Sequence, residues 1–245
     1  MKTLMITIMA IASAFATLAA TDPVDTNEWI GDPATHSGEW GVADNWSLKR
    51  VPNDSDLAFL KFYSDRPNYT VTINGSQKCS QLRIEDKTTA GVRTTTFDGT
   101  GTLTLQCSNN CANDFGKRGQ VVIDGPTITS EHSCFYLHAP LTVKSGALVI
   151  PMSAESSIVF LWNDNAAITV EGGQLSTRYI EYVNATPGRI TVNGGSLTVN
   201  SSVYPYTSDP VANNCLKVTI TGGSAEFGGL NLQRPGDSLT MTGGY

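Results

Sequence analysis

The stretch Ile190-Thr191-Val192-Asn193-Gly194-Gly195-Ser196-Leu197 decides the fold, because the same phrase returns along the chain. In its clearest copies an apolar, a polar and an apolar residue lead through one spacer to a Gly pair, and another apolar residue follows; the four earlier copies are weaker, and the last is cut off at Tyr245. Aligned on the second apolar residue, the copies are Ile73, Phe97, Ile123, Val143, Val170, Val192, Ile220 and Met241. Successive copies lie 20 to 28 residues apart, with a mean of 24. Such a recurring period is typical of a solenoid.

The residues around each Gly step alternate between apolar and polar, which is the period-two pattern of a β-strand. Glycine at the step permits the positive φ that a sharp corner requires. Each repeat therefore indicates a strand, a Gly turn, a second strand and a variable loop. Because parallel coils stack equivalent residues, we expect two inward ladders. Their members are Val170, Val192 and Ile220 in one and Leu175, Leu197 and Ala225 in the other.

These patterns predict an all-β fold, a parallel β-helix (solenoid) of about eight rungs with a mean period of 24 over residues 69–245. An antiparallel sandwich, in which consecutive repeats pair as hairpins, is the alternative. Residues 21–68 differ from the repeats and contain Trp29, Trp40 and Trp46. Since the open end of a solenoid needs cover, we predict that 21–68 form an N-terminal Trp-rich cap and irregular first rung. The three indoles then pack over the end of the helix.

Residues 1–20 have the pattern of a secretory signal peptide. Lys2 precedes an apolar run that ends in the small residues Ala19 and Ala20, and this run is shorter than a membrane-spanning helix. We therefore expect export to the cell surface or medium, with no membrane span in the mature chain. Cleavage of the signal peptide removes Lys2 and leaves 15 basic against 22 acidic residues in the mature chain. This acidic balance argues against nucleic acid as a partner.

The start of the mature chain carries a spaced motif. It consists of Trp29-Ile30-Gly31, Gly38-Glu39-Trp40, Asp44-Asn45-Trp46-Ser47 and Val51-Pro52-Asn53-Asp54-Ser55-Asp56. This opening, followed by Gly-Gly strand repeats, resembles bacterial exported proteins with autotransporter-type strand repeats. The resemblance implies a right-handed β-helix that is displayed on a cell surface or released from it, in a bacterium. It also implies further domains of a longer chain, so we expect the β-helix to be truncated at its C-terminal end.

Five cysteines follow the signal peptide, and disulfides form readily outside the cytoplasm. We predict that Cys107 is oxidised, either with Cys111 or with Cys134, which lies 27 residues later and so about one coil away. Free thiols are one alternative. A zinc site is the other, and its candidate ligands are Cys107, Cys111, His132, Cys134 and His138. We favour the disulfide and expect no metal and no cofactor.

The sequence contains none of the common local catalytic motifs. Polysaccharide lyases and hydrolases on a β-helix need clustered carboxylates, and the conceivable row is Asp98, Asp124 and Glu171. Polar residues before a Gly turn also satisfy the turn backbone, which is the simpler explanation of that row. The sequence therefore favours a role without catalysis.

Aromatic residues collect in the predicted variable loops. Trp162, Tyr179, Tyr182, Tyr204 and Tyr206 are candidate carbohydrate contacts, and the alternative is that these rings fold back and cover the core. We predict a non-catalytic secreted or cell-surface scaffold for adhesion or extracellular matrix contact. Its partner is then an extracellular polysaccharide or a surface protein. A carbohydrate-binding module, or a polysaccharide lyase or hydrolase, is the alternative.

Overall fold

The computed structural model describes residues 25–62, 68–86, 93–106, 112–116, 119–131, 134–151, 157–162, 166–182, 188–205, 215–232 and 234–245. In these residues twenty strands, numbered β1 to β20 in chain order, form one continuous sheet that coils into a solenoid. All pairings between these strands are parallel. The all-β parallel β-helix is thereby confirmed, and the hairpin alternative is excluded. The predicted signal peptide lies outside the described residues.

Stacked strands form three faces, and the chain visits them in turn. Face 1 contains β2 (Gly38–Glu39), β4 (Tyr69–Thr72), β7 (Thr94–Asp98), the first halves of β10 (Gln120–Ser130) and β12 (Pro140–Val149), β14 (Ala167–Val170), β16 (Gly188–Val192), β18 (Leu216–Ile220) and β20 (Ser238–Met241). Face 2 contains β5 (Ser76–Cys79), β8 (Thr102–Leu105), the second halves of β10 and β12, the first halves of β15 (Gln174–Tyr182) and β17 (Ser196–Pro205), and β19 (Ser224–Phe227).

Face 3 contains β1 (Asp25–Glu28), β3 (Asp56–Phe62), β6 (Gln81–Asp86), β9 (Ala112–Phe115), β11 (Cys134–Leu137), β13 (Ile158–Leu161) and the second halves of β15 and β17. The helical structure in the described part of the chain is one 3-10 turn, Ala43–Asn45. No helix among the described residues combines the length and apolarity needed to cross a membrane.

Each complete coil has strand segments on three faces, where the sequence indicated two strands and a variable loop. The strands of face 3 occupy much of what the sequence indicated as loop. About six turns carry strands on all three faces, so the expected eight rungs are too many. The reason is that the repeated phrase was counted once for every strand that starts on face 1, and the coils that start at β18 and β20 lack a complete set of strands.

Both predicted inward ladders are confirmed. Their members are direct partners in adjacent strands, Val170 with Val192 with Ile220, and Leu175 with Leu197 with Ala225. The face 1 ladder is at most 2% exposed, up to Ile220. Each strand therefore buries the apolar residues of the next, which is how a solenoid builds a core from short segments.

The alignment of the first copy is wrong by two residues. Val71, and not Ile73, is the partner of Phe97 in β7. The corner after Phe97 contains two glycines, Gly99 and Gly101. The backbone amide of the next residue, Thr102, donates a hydrogen bond to the carbonyl of Gly75. Gly75 therefore corresponds to Gly101 in the structure, whereas the sequence alignment pairs Gly75 with Gly99.

The predicted packing of the three N-terminal indoles is confirmed, since Trp29, Trp40 and Trp46 are each 0% exposed. The ring of Trp46 lies edge-on between the other two, with centroids 5.0 Å from Trp29 and 4.8 Å from Trp40. The backbone amides of Trp29 and Trp40 bond to the carbonyls of Phe59 and Thr72. The rings therefore belong to the core beside β3 and β4 and line no open cleft.

Candidate functional site

Face 3 carries a row of large side chains that point away from the core. Alternate residues of β11 and β13 belong to the hydrophobic core, so Tyr136 and Phe160 between them point outward. The same register continues through β15 and β17 to Glu181 and Tyr204. We call the outward residues of this stretch, together with their neighbours, the aromatic face. Its members are Tyr136, Phe160, Trp162, Tyr179, Glu181 and Tyr204.

Three rings form the first half of the aromatic face. Tyr136 and Phe160 stack face to face, with centroids 4.8 Å apart and planes 10° from parallel. Trp162 stands nearly perpendicular to both, 5.0 Å from Tyr136 and 6.0 Å from Phe160. Phe160 is only 8% exposed, whereas Tyr136 and Trp162 are half-buried. A ligand on this face therefore reaches Tyr136 and Trp162 before it reaches Phe160.

The second half is built around a carboxylate. Tyr204 donates a hydrogen bond from its hydroxyl to Glu181, and its ring packs edge-on against Tyr179, with centroids 5.8 Å apart. The guanidinium of Arg178 lies 5.0 Å from the centre of the Tyr179 ring. Glu181 is 6% exposed, while the two tyrosines are half-buried. Glu181 thus fixes the orientation of Tyr204, and the rings provide the accessible surface.

Polar groups border the rings toward the N-terminal end of face 3. The Nε2 atom of His138 lies 3.5 Å from the Oδ1 atom of Asp114, and the His138 ring lies 6.3 Å from the Trp162 ring. Arg83 is the register partner of Asp114 in β6. The aromatic face therefore has a polar rim on this side, made of His138, Asp114 and Arg83.

Burial changes the ionisation of the central pair. Burial raises the pKa of the Glu181 carboxyl, and the Tyr204 hydroxyl partly opposes this by its hydrogen bond. The pKa of Tyr204 is raised as well, first by burial and then by the bond to Glu181. Both groups are held closer to their neutral forms than they are in water.

The carboxylates of the aromatic face are too far apart for paired acid–base work. Asp114 and Glu181 are separated by three strand steps, through Tyr136 and Phe160. At ~4.8 Å per step the separation is about 14 Å, while the two carboxyl groups of a glycoside hydrolase lie within about 9.5 Å. This pair therefore does not have the geometry of a hydrolase.

The acidic row considered from the sequence is interrupted. Asp98 and Asp124 are partners in adjacent strands, but the next partner of Asp124 is Ser145, whose hydroxyl donates a hydrogen bond to Asp124 at 2.9 Å. The backbone amide of Glu171 donates a hydrogen bond to the carbonyl of Val143, and Val143 lies in the coil after that of Asp124. Glu171 is therefore two coils away from Asp124. Ser145 thus lies between two members of the expected row, and the three carboxylates do not form a contiguous set.

The structure divides the five carbohydrate-contact candidates. Trp162, Tyr179 and Tyr204 lie on the aromatic face, and Tyr179 and Tyr204 belong to strands β15 and β17, whereas the sequence placed them in loops. Tyr182 points into the core and is 1% exposed, and burial raises its pKa to about 12. It cannot meet a ligand on this face. Tyr206 lies outside the described residues.

Sequence reasoning missed the other members of the face. Tyr136, Phe160 and Glu181 were not singled out, because the third strand of each coil has no Gly-Gly phrase to mark it. A signal was present in the order Phe135-Tyr136-Leu137-His138, which returns 24 residues later as Val159-Phe160-Leu161-Trp162. That distance equals the mean repeat period, so the second residues of the two phrases, Tyr136 and Phe160, are stacked neighbours.

Of the cysteines considered for a disulfide or zinc, Cys134 is described, and Cys107 and Cys111 are not. Cys134 is a free thiol whose pKa is raised, mainly by burial. Its register partner is Ala112, the residue after Cys111. Among the described residues no group of three or more His, Cys, Asp or Glu side chains is arranged to hold a metal ion. The disulfide stays a prediction.

Comparison of the chain with protein-family models, with curated proteins and with solved structures found no match.

Proposed function

We propose that the protein is a non-catalytic exported scaffold for adhesion or matrix contact, and that the aromatic face is its contact surface. The observation that supports this most is the continuity of the row across four coils on one face of the solenoid. Aromatic residues are enriched where proteins bind partners, since they provide large contact area at low entropic cost.

The corresponding outward row on face 1 provides the contrast. It consists mostly of threonines, stacked one above another, which are Thr142, Thr169, Thr191, Thr219 and Thr240. Threonine suits an exposed strand through its β-branch and needs no ligand to explain it. Tyr, Phe and Trp also suit strands, but half-buried rings on face 3 present a larger apolar surface to a partner than threonines do. The difference between the faces therefore favours face 3 as the functional one.

The aromatic face is also rigid. Tyr136 stacks on Phe160, and Tyr204 is held by Glu181, so the rings lose little freedom when a ligand arrives. A parallel solenoid presents such groups as an extended surface and not as a closed pocket. This shape suits a polymer or a cell surface better than a small metabolite.

The test is retention of the purified chain from Thr21 on bacterial cell surfaces and on extracellular matrix. We expect the double variant Trp162→Ala/Tyr204→Ala to lose retention by about tenfold or more, because two contact rings are removed. Thr191→Ala on face 1 is the matched control and is expected to bind like the parent. Equal retention of all three folded proteins, checked by circular dichroism, would contradict the proposal.

A further inference from the structure

Resting on the proposed contact function, we propose that the aromatic face binds a neutral, extended polysaccharide. Its chain runs along the solenoid axis, across β11, β13, β15 and β17. Sugar rings pack on the side chains of Tyr136, Trp162, Tyr179 and Tyr204, and sugar hydroxyls bond to the polar rim.

The spacing of the strands supports this orientation. Adjacent strands lie ~4.8 Å apart, and one unit of an extended polysaccharide spans roughly 5 Å, so successive sugars keep step with successive strands. The row from Tyr136 to Tyr204 covers three steps, or about 14 Å. A ligand of about four sugar units fills this length. A chain that lay across the solenoid would meet one strand of the row and leave the rest unused.

The chemistry of the face fits a sugar ring. A pyranose has an apolar face of C–H groups and a rim of hydroxyls, and half-buried Trp and Tyr rings have the same combination of apolar surface and polar edge. Partly exposed Tyr136, Trp162 and Tyr204 provide the rings. The Tyr204 hydroxyl donates to Glu181, and its oxygen can accept a hydrogen bond from a sugar hydroxyl. Few polar groups among apolar ones are what fix the orientation of a ligand in a site.

The charges favour a neutral chain over an acidic one. Lys61 is paired with Glu28 at 3.0 Å, Arg83 stands beside Asp114 in register, and Arg178 lies against the Tyr179 ring. The chain as a whole has a net charge of -6. An acidic polysaccharide would need an excess of cations at this surface, whereas the cations here have partners within the protein. Uronate chains are therefore expected to bind poorly.

Calorimetric titration of the chain from Thr21 tests the inference. The probes are cello- and manno-oligosaccharides of two to six units, with oligogalacturonates of the same lengths as acidic probes. We expect affinity for at least one neutral series to rise about tenfold or more between two and four units and then to level off, as the row is filled. Since no ion pairs are involved, about 0.5 M NaCl should leave that affinity unchanged.

Variants locate the binding. Trp162→Ala and Tyr204→Ala are each expected to weaken binding of the four-unit neutral probe about tenfold, the loss of one ring contact. Tyr204→Phe keeps the ring and should weaken it less, and Thr191→Ala should have no effect. An affinity that does not change with length, or equal binding of the alanine variants, would overturn the axial arrangement.

The outcome also separates this inference from the proposed function. Binding of oligogalacturonates alone, with loss in high salt, overturns the neutral ligand but leaves the contact role intact. Binding to surfaces that depends on Trp162, without binding of any oligosaccharide, overturns the inference in favour of a protein partner. Failure of both assays in the folded protein overturns both.

Discussion

Glu181 and Tyr204 occupy equivalent positions in adjacent strands of face 3, and the Tyr204 hydroxyl donates a hydrogen bond to the Glu181 carboxyl group. Burial of this carboxyl group disfavours its charged form and raises its pKa. An acid whose pKa is higher in the folded state binds more protons when folded than when unfolded. Folding stability therefore falls as pH rises from the ordinary value of a Glu, 4.5, through the raised value.

The first prediction follows from this fall in stability with rising pH. Glu181→Gln removes the titrating group but keeps an oxygen that accepts the Tyr204 hydroxyl. The free energy of unfolding of the Gln variant, minus that of the parent, should increase from pH 4 to pH 7, because only the parent must hold a buried charge. Urea unfolding at several pH values measures the difference, and the other carboxylates cancel in it. A constant difference over this range would contradict the burial effect.

The second prediction concerns the hydroxyl of Tyr204. Tyr204→Phe removes the donor that stabilises the charged form of Glu181, so the pKa of Glu181 should rise further. The variant should lose about 1.5–3 kcal/mol at pH 7, the range for a hydrogen bond to a charged group. It should lose less at pH 4, where the carboxyl is mostly protonated in both the folded and the unfolded state. The same urea experiment checks this, and an equal loss at both pH values would argue against the coupling.

The third prediction compares two corner glycines with the same backbone conformation. Gly75 and Gly195 both have a φ of +64°. A methyl group on Gly75 would meet nothing within 4 Å, whereas on Gly195 it would lie 2.1 Å from the carbonyl oxygen of Gly173 in the previous coil. Gly75→Ala should lower the free energy of unfolding by about 1–2 kcal/mol, which is the cost of a left-handed conformation alone. Gly195→Ala should cost clearly more, because the stacked coils must separate.

Thermal and urea unfolding of the two alanine variants measure the comparison. Equal destabilisation would show that the coils move apart without cost. If the Gly75 variant were the less stable one, the close stacking of the corners would not be what demands glycine at position 195.

How far the sequence predicts this molecule depends on which face is considered. The ladder Val170–Val192 could be predicted because the Gly-Gly phrase fixes the register of face 1 in every coil where the corner has constant length. The stacking of Tyr136 on Phe160 could not, since the chain between face 2 and face 3 varies in length and no glycine marks the third strand. Periodicity reveals the part of a coil that is constrained by backbone contact. The functional candidates lie where that constraint is weakest.

The fourth prediction concerns the Trp-rich start of the solenoid. Trp46 lies between Trp29 and Trp40, and its indole N–H donates to the Trp40 carbonyl at 2.8 Å. Trp46→Ala should lower the free energy of unfolding by about 3–5 kcal/mol, as for other large aromatic residues removed from a core. Leu48→Ala, at a residue 42% exposed, is the nearby control and should change it by less than about 0.5 kcal/mol. A similar small effect of both would mean that the indoles add no stability.

The last prediction concerns the oxidation state of the cysteines. We expect one disulfide between Cys107 and either Cys111 or Cys134. Cys134 is a free thiol in the structure, which favours Cys111, and a bond to Cys134 would mean that this thiol is oxidised in solution. With either bond, the denatured, unreduced protein should take up three alkyl groups, and five after reduction. The variant Cys134→Ser decides the partner. In the denatured, unreduced variant we expect two alkylated thiols if Cys107 pairs with Cys111, and four if Cys107 pairs with Cys134. Closing the 27-residue loop would stabilise the fold by about 3.5 kcal/mol, and the short loop by about 2 kcal/mol. Alkylation of all five thiols without reductant would rule out the bond, and stoichiometric zinc would replace it with a metal site.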